Sequence, residues 1–124
     1  MNVFEALDQF WNIFQWPAYD ENTVPPPPNT PALPYITYGA AYANFDEPCA
    51  LHIDLWDKGS SWTNVTRKMT EINRTIGAGG KMLRYDGGHI WIKRGIPFAQ
   101  RMSDPNPEIR RIYINIEAEF ITND

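Results

Sequence analysis

The 124-residue sequence predicts an α+β domain, a mostly antiparallel sheet of about five strands with two helices in the order α-β-β-α-β-β-β. Three observations carry this. Residues 49–55 and 111–120 alternate apolar and polar side chains with a period of two, the mark of strands with one covered face. Residues 3–14 and 62–76 place apolar side chains at three- and four-residue steps, the mark of helices with one apolar stripe. Strand and helix patterns are mixed without repeated βαβ crossovers, which disfavours a parallel sheet. The length suits a single domain over 1–124, divided into a helix at 1–16, a Pro-rich connector at 17–34 and an α+β core at 35–124.

The first helix carries Val3, Phe4, Leu7, Phe10, Trp11 and Phe14 on its apolar face, with Asn2 available as its cap and Pro17 to end it. Residues 17–34 hold Pro17, Pro25, Pro26, Pro27, Pro28, Pro31 and Pro34, so neither a helix nor a central strand is expected there, and Pro25–Pro28 favours an extended polyproline II path. Residues 35–44, rich in Tyr, Ile and Thr, read as a strand with a bulge at Gly39. A turn of about four residues, Phe45 to Pro48, leads into an antiparallel strand starting at Cys49.

In that strand Cys49, Leu51, Ile53 and Leu55 point one way and Ala50, His52, Asp54 and Trp56 the other. The second helix has Trp62, Val65, Met69, Ile72 and Ile76 as its stripe, Ser60 or Ser61 as N-cap, Arg74 in the last turn and Gly77 as its stop. Lys81–Tyr85 and His89–Lys93 form a hairpin around Asp86-Gly87-Gly88. Pro97 closes the latter strand, and 98–107 reads as a polar loop. The last and longest strand turns Ile112, Ile114, Ile116, Ala118 and Phe120 to the core and Arg111, Tyr113, Asn115, Glu117 and Glu119 outward.

A net charge of −4 argues against a protein whose main task is to hold nucleic acid phosphates. No basic-then-apolar leader and no apolar run of about 20 residues is present, so a soluble, cytoplasmic chain with no membrane contact is expected. The single Cys49 is expected to be a small buried hydrophobe. Five Trp exceed what a core of this size needs, which places some of them at a subunit interface.

No catalytic, cofactor or metal site emerges from motif spacing. Gly77-Ala78-Gly79-Gly80-Lys81 is not a phosphate loop, because Met82 follows the lysine and the run leaves a helix instead of entering one. His52 and Asp54 share a strand face but have no nucleophile tied to them, so they read as ordinary polar surface. Asn64-Val65-Thr66 and Asn73-Arg74-Thr75 match the glycosylation acceptor pattern by chance, inside a helix. Tyr85, Trp91 and Tyr113, near Arg84, Lys93 and Arg111, give an alternative reading as a small α+β nucleic-acid-binding domain.

The Pro34-Tyr35-Ile36-Thr37-Tyr38 entry resembles the tail terminator, or tail completion, proteins of long-tailed bacteriophages and prophages. So do the strand running into Leu55-Trp56-Asp57-Lys58, the Ser-capped helix, and the loop from Asp104 into Arg110-Arg111-Ile112-Tyr113. The resemblance covers about residues 34–121. It implies a structural protein with no catalytic residues and no cofactor, forming a ring, usually a hexamer, at the head-proximal end of the virion tail. Such a ring assembles in the host cytoplasm, stops tube polymerisation and presents a surface for head-tail joining. Its implied partners are copies of itself, the tail tube protein and a head completion or connector protein, with DNA only passing through the pore. Trp56, Trp91 and Tyr113 are the expected contact residues.

Overall fold

A computed structural model describes residues 1–42 and 47–123. Helix α1 (Val3–Trp11) runs into a short 3-10 turn (Asn12–Phe14), followed by strands β1 (Ala18–Asp20), β2 (Tyr35–Tyr38) and β3 (Cys49–Lys58). Helix α2 (Thr63–Ile76) precedes β4 (Lys81–Tyr85), β5 (Gly88–Met102) and β6 (Ile109–Thr122). The strands form one six-stranded sheet in the order β1-β2-β3-β6-β5-β4, parallel between β1 and β2 and antiparallel elsewhere.

The centre of the sheet is the β3–β6 pair, in register from Cys49 opposite Ala118 to Lys58 opposite Ile109. This register sets Leu51, Ile53 and Leu55 beside Ile112, Ile114, Ile116, Ala118 and Phe120, all buried. Both helices cover that face. Helix α2 contributes Val65, Ile72 and Ile76, and α1 with its 3-10 turn contributes Val3, Ala6, Leu7, Phe10, Trp11 and Phe14. The expected α+β class, its two helices and the apolar faces of β3 and β6 are therefore present.

The helix ends follow from local chemistry. Asn2 and Glu5 form a reciprocal capping box, each side chain accepting from the other residue's backbone N–H at 2.9 Å. The left-handed turn at Gln15 ends the 3-10 segment before Pro17. Gly77, at φ 74°, stops α2 in a conformation that side chains rarely adopt. Ser61 is placed one step earlier than a regular cap, its Oγ accepting from Thr63 N at 3.1 Å, with Trp62 at the cap position.

Several expectations are corrected. The connector contains a sixth strand, β1, because an edge position needs only one side of hydrogen bonds and its three residues contain no proline. Strand β2 stops at Tyr38, well short of residue 44, and Gly39 ends the strand without forming a bulge. Of the predicted turn at Phe45 to Pro48, residues 45 and 46 lie outside the described residues. Strand β5 does not stop at Pro97. It continues to Met102 through an irregularity between Arg94 and Ala99, where Asn115 Nδ2 donates to the Pro97 carbonyl at 2.7 Å. A proline is accommodated there because the ladder is already interrupted. Residues 98–102 are thus strand, not loop, and β5 at 15 residues exceeds β6 at 14. Phe4 is 48% exposed, and Ala6 takes the buried position on α1 instead.

Two polar side chains fasten the helices. Lys68, buried on the α2 stripe between Val65 and Ile72, donates to the Phe14 carbonyl at 2.5 Å and to Glu71 at 2.8 Å. On α1, Asp8 accepts the Tyr38 phenol at 2.6 Å. Burial first, and then this bond to a carboxylate, push the Tyr38 phenol well above the ordinary tyrosine range. The raised value means that the contribution is complete below the unfolded pKa near ~10 and is lost progressively as pH climbs from there through the higher folded value. Tyr38→Phe is expected to lower unfolding free energy by about 1–2 kcal/mol at pH 7. In denaturant titrations, that difference persists up to about pH 9 and shrinks above it.

Candidate interaction surface on the open sheet face

The face of the sheet opposite the helices is built by the residues that alternate with the core. Reading across the strands, one row runs Tyr35, Trp56, Arg111 and Met102, and the next runs Tyr19, Thr37, Asp54, Tyr113 and Gln100. One step beyond the last β1–β2 pair, Glu21 N donates to the Tyr38 carbonyl and Gly39 N to the His52 carbonyl, which adds a third row: Glu21, Gly39, His52, Asn115. Toward β4 lie Trp91 opposite Glu119 and Lys93 opposite Glu117.

Trp56, Tyr113 and Trp91 all stand on this face. Trp56 and Tyr113 sit on adjacent central strands, whereas Trp91 is toward the β4 edge. Each already has partners within the chain. Trp56 Nε1 donates to Thr37 Oγ1 at 2.9 Å, and the Arg111 guanidinium covers the ring at 4.7 Å. Tyr113 stacks on His52 with centroids 5.4 Å apart and planes 13° apart. Trp91 donates to the Gly79 carbonyl at 3.0 Å and lies under Lys93 Nζ at 4.2 Å. Tyr85, named in the nucleic-acid reading, is not on this face; it packs against the core side.

The surplus tryptophans are thus largely accounted for inside the chain. Trp11 is 1% exposed in the core, and each of the other four carries a Lys or Arg over its ring: Lys68 on Trp16, Arg111 on Trp56, Arg101 and Arg110 on Trp62, Lys93 on Trp91. The cation is attracted by the negative face of the indole and shields it from water.

His52 and Asp54 depart from the ordinary polar surface expected of them. Asp54 is 4% exposed, and its Oδ1 accepts from Arg111 Nε at 2.8 Å. His52 Nε2 lies 2.6 Å from Glu21 Oε2. Ligand atoms of Glu21, His52 and Asp54 all lie within 4.8 Å of one another. Glu21 had no signal of its own, because it lies in the connector 31 residues from His52. Cys49 is half-buried against the core, and burial pushes its thiol up, away from the thiolate.

On the helix side a cleft is lined by Trp16, Pro34, Asp57, Asn64, Arg67, Lys68 and Glu71. It mixes two acids with two bases. No family model, no curated protein and no solved structure matches this chain.

The Asp54–Arg111 pair carries a stability consequence, because truncating one partner leaves the other's charge without its counterpart in a poorly hydrated site. Arg111→Ala is expected to cost about 2–3 kcal/mol, below the ~3–5 kcal/mol of a fully buried pair because Arg111 retains contact with water. A double-mutant cycle with Asp54→Asn measures the coupling. Strictly additive single losses would mean that the two side chains are independent.

Proposed function

We propose that this chain is a structural subunit of a phage virion, a tail terminator that caps the tail tube as a hexameric ring and forms the head-tail joining surface. The reading rests on the resemblance of residues 34–121 and is supported most directly by the shape of the sheet's exposed boundary. Strand β4 pairs only with residues 88–92 of β5, so β5 from Lys93 to Met102 has no strand on its outer side among the described residues. At the middle of that free stretch Ile96 is 98% exposed. A ring requires two different patches that meet head to tail around an axis. A free strand edge on one side and the open sheet face on the other supply such a pair of unlike surfaces.

The composition of the open face favours this reading over nucleic-acid binding. Glu21, Asp54, Glu117 and Glu119 interleave with the basic residues, and the rings of Trp56 and Trp91 already carry cations. Stacking platforms for bases need free ring faces in a positive field. An acidic subunit suits a pore through which DNA slides without sticking.

Native mass spectrometry and sedimentation of the chain, alone and with the tail tube protein, are expected to give a closed ring bound to the tube. Ile96→Asp is expected to weaken ring formation by at least about tenfold, the equivalent of 1.4 kcal/mol per interface, while leaving thermal melting close to wild type, because Ile96 is almost fully exposed. A wild-type chain that stays monomeric in the presence of tube protein, or that binds polynucleotide with a steep loss on added salt, would sink the proposal.

A further inference from the structure

We infer that Glu21, His52 and Asp54 form a binding site for one divalent transition metal ion of the zinc class. The inference is independent of the assembly reading, since all three ligands come from one chain.

The geometry comes from a gap in the sheet. In the third row of the open face, the position between Glu21 and His52 is Gly39, which has no side chain. A Cβ built there would lie 3.1 Å from His52 Cε1 and 3.4 Å from Nδ1. Any larger residue at 39 would therefore press on the imidazole, and glycine lets Glu21 reach across to it. The β1 extension holds Glu21 in place: its own N–H bonds to Tyr38, Asn22 N donates to Asp20 Oδ1 at 2.9 Å, and Thr23 Oγ1 donates to the Asp20 carbonyl at 2.8 Å. His52 is fixed by its stack on Tyr113 and Asp54 by Arg111. All three ligands are thus oriented by neighbours before any ion arrives.

The donor set selects the metal. An imidazole nitrogen with two carboxylates suits zinc-class ions, whereas Ca²⁺ and Mg²⁺ prefer all-oxygen sites. Zinc takes His nitrogen and carboxylate oxygen at about 2.0–2.2 Å, so its ligand atoms stand about 3–3.5 Å apart. The His52–Glu21 contact of 2.6 Å has to open slightly to admit the ion, and Arg111 Nε engages Oδ1 of Asp54, which leaves its second carboxylate oxygen as the ligand the ion would take. His52 and Glu21 side chains are 34% and 36% exposed, so the site is reached from solution and has room for a water as fourth ligand. Two carboxylates balance the dication, and Arg111 keeps its bond to Asp54. The bound ion ties the segment after β1 to β3 across the end of β2, and with it anchors the start of the Pro-rich connector.

Titration of the full chain with zinc chloride at pH 7.5, followed by calorimetry and by thermal melting, tests the site. The expected result is one ion bound per chain and a melting temperature that rises with zinc concentration. His52→Ala and Glu21→Gln each weaken binding by about tenfold or more, since losing a ligand costs at least as much as losing a supporting partner. His89→Ala leaves binding unchanged. Glu21 is exposed, so Glu21→Gln remains a sound reporter even if His52→Ala loosens the fold. Absence of zinc uptake by the wild type overturns the inference. So does unchanged uptake in Glu21→Gln, or an equal loss in His89→Ala, which marks nonspecific surface histidine binding.

Discussion

The structure depends on the register between β3 and β6. All ten residues of β3 pair with β6, and because side chains alternate with a period of two, this one register assigns every residue of both strands to a face. A slip of β3 by one position would carry Leu51, Ile53 and Leu55 to the open side and bring His52 and Asp54 under the helices. The cost of stranding those polar side chains beneath α1 and α2 forbids the slip. The flanking strands then add to a template whose faces are already decided.

The open face is organised by the same alternation and by diagonal contacts between rows. Trp56 reaches Thr37, Arg111 reaches Asp54, and His52 lies on Tyr113, so each side chain bridges to a neighbouring strand one step along. The result is a surface with little free rotation, in which long charged side chains lie over indoles. Ordering of this kind is built into the sheet itself, since each long side chain is held by a neighbour on the adjacent strand.

Much of this was legible in the sequence. The alternation of residues 49–55 and 111–120 predicted both central strands and their buried sides, and Asn2 and Gly77 correctly marked helix ends. The face shared by Trp56 and Tyr113 followed from the same count. The misreadings occurred where a local rule met a tertiary exception. Proline at 97 reads as a terminator, yet it falls where the β5–β6 ladder is already broken and Asn115 takes its carbonyl. Lys68 is absent from the apolar stripe read for the second helix, yet it is buried there, with Phe14 and Glu71 as partners for its ammonium. The connector's proline content masks the three residues that join the sheet edge.

By itself the sequence determined the class of fold, the two helices, the central strands and which side of each faces the core, because periodicity and capping are read from neighbours along the chain. Only the tertiary structure decided the sixth strand, the parallel edge, the length of β5, and the meeting of Glu21 with His52 and Asp54. Those features depend on which distant segment lies alongside, and an edge pairing or a three-ligand cluster has no fixed spacing in sequence. Gly39 joins the two levels: in the sequence it is one small residue at a strand end, and in the sheet it is the gap through which a carboxylate from the connector reaches a histidine.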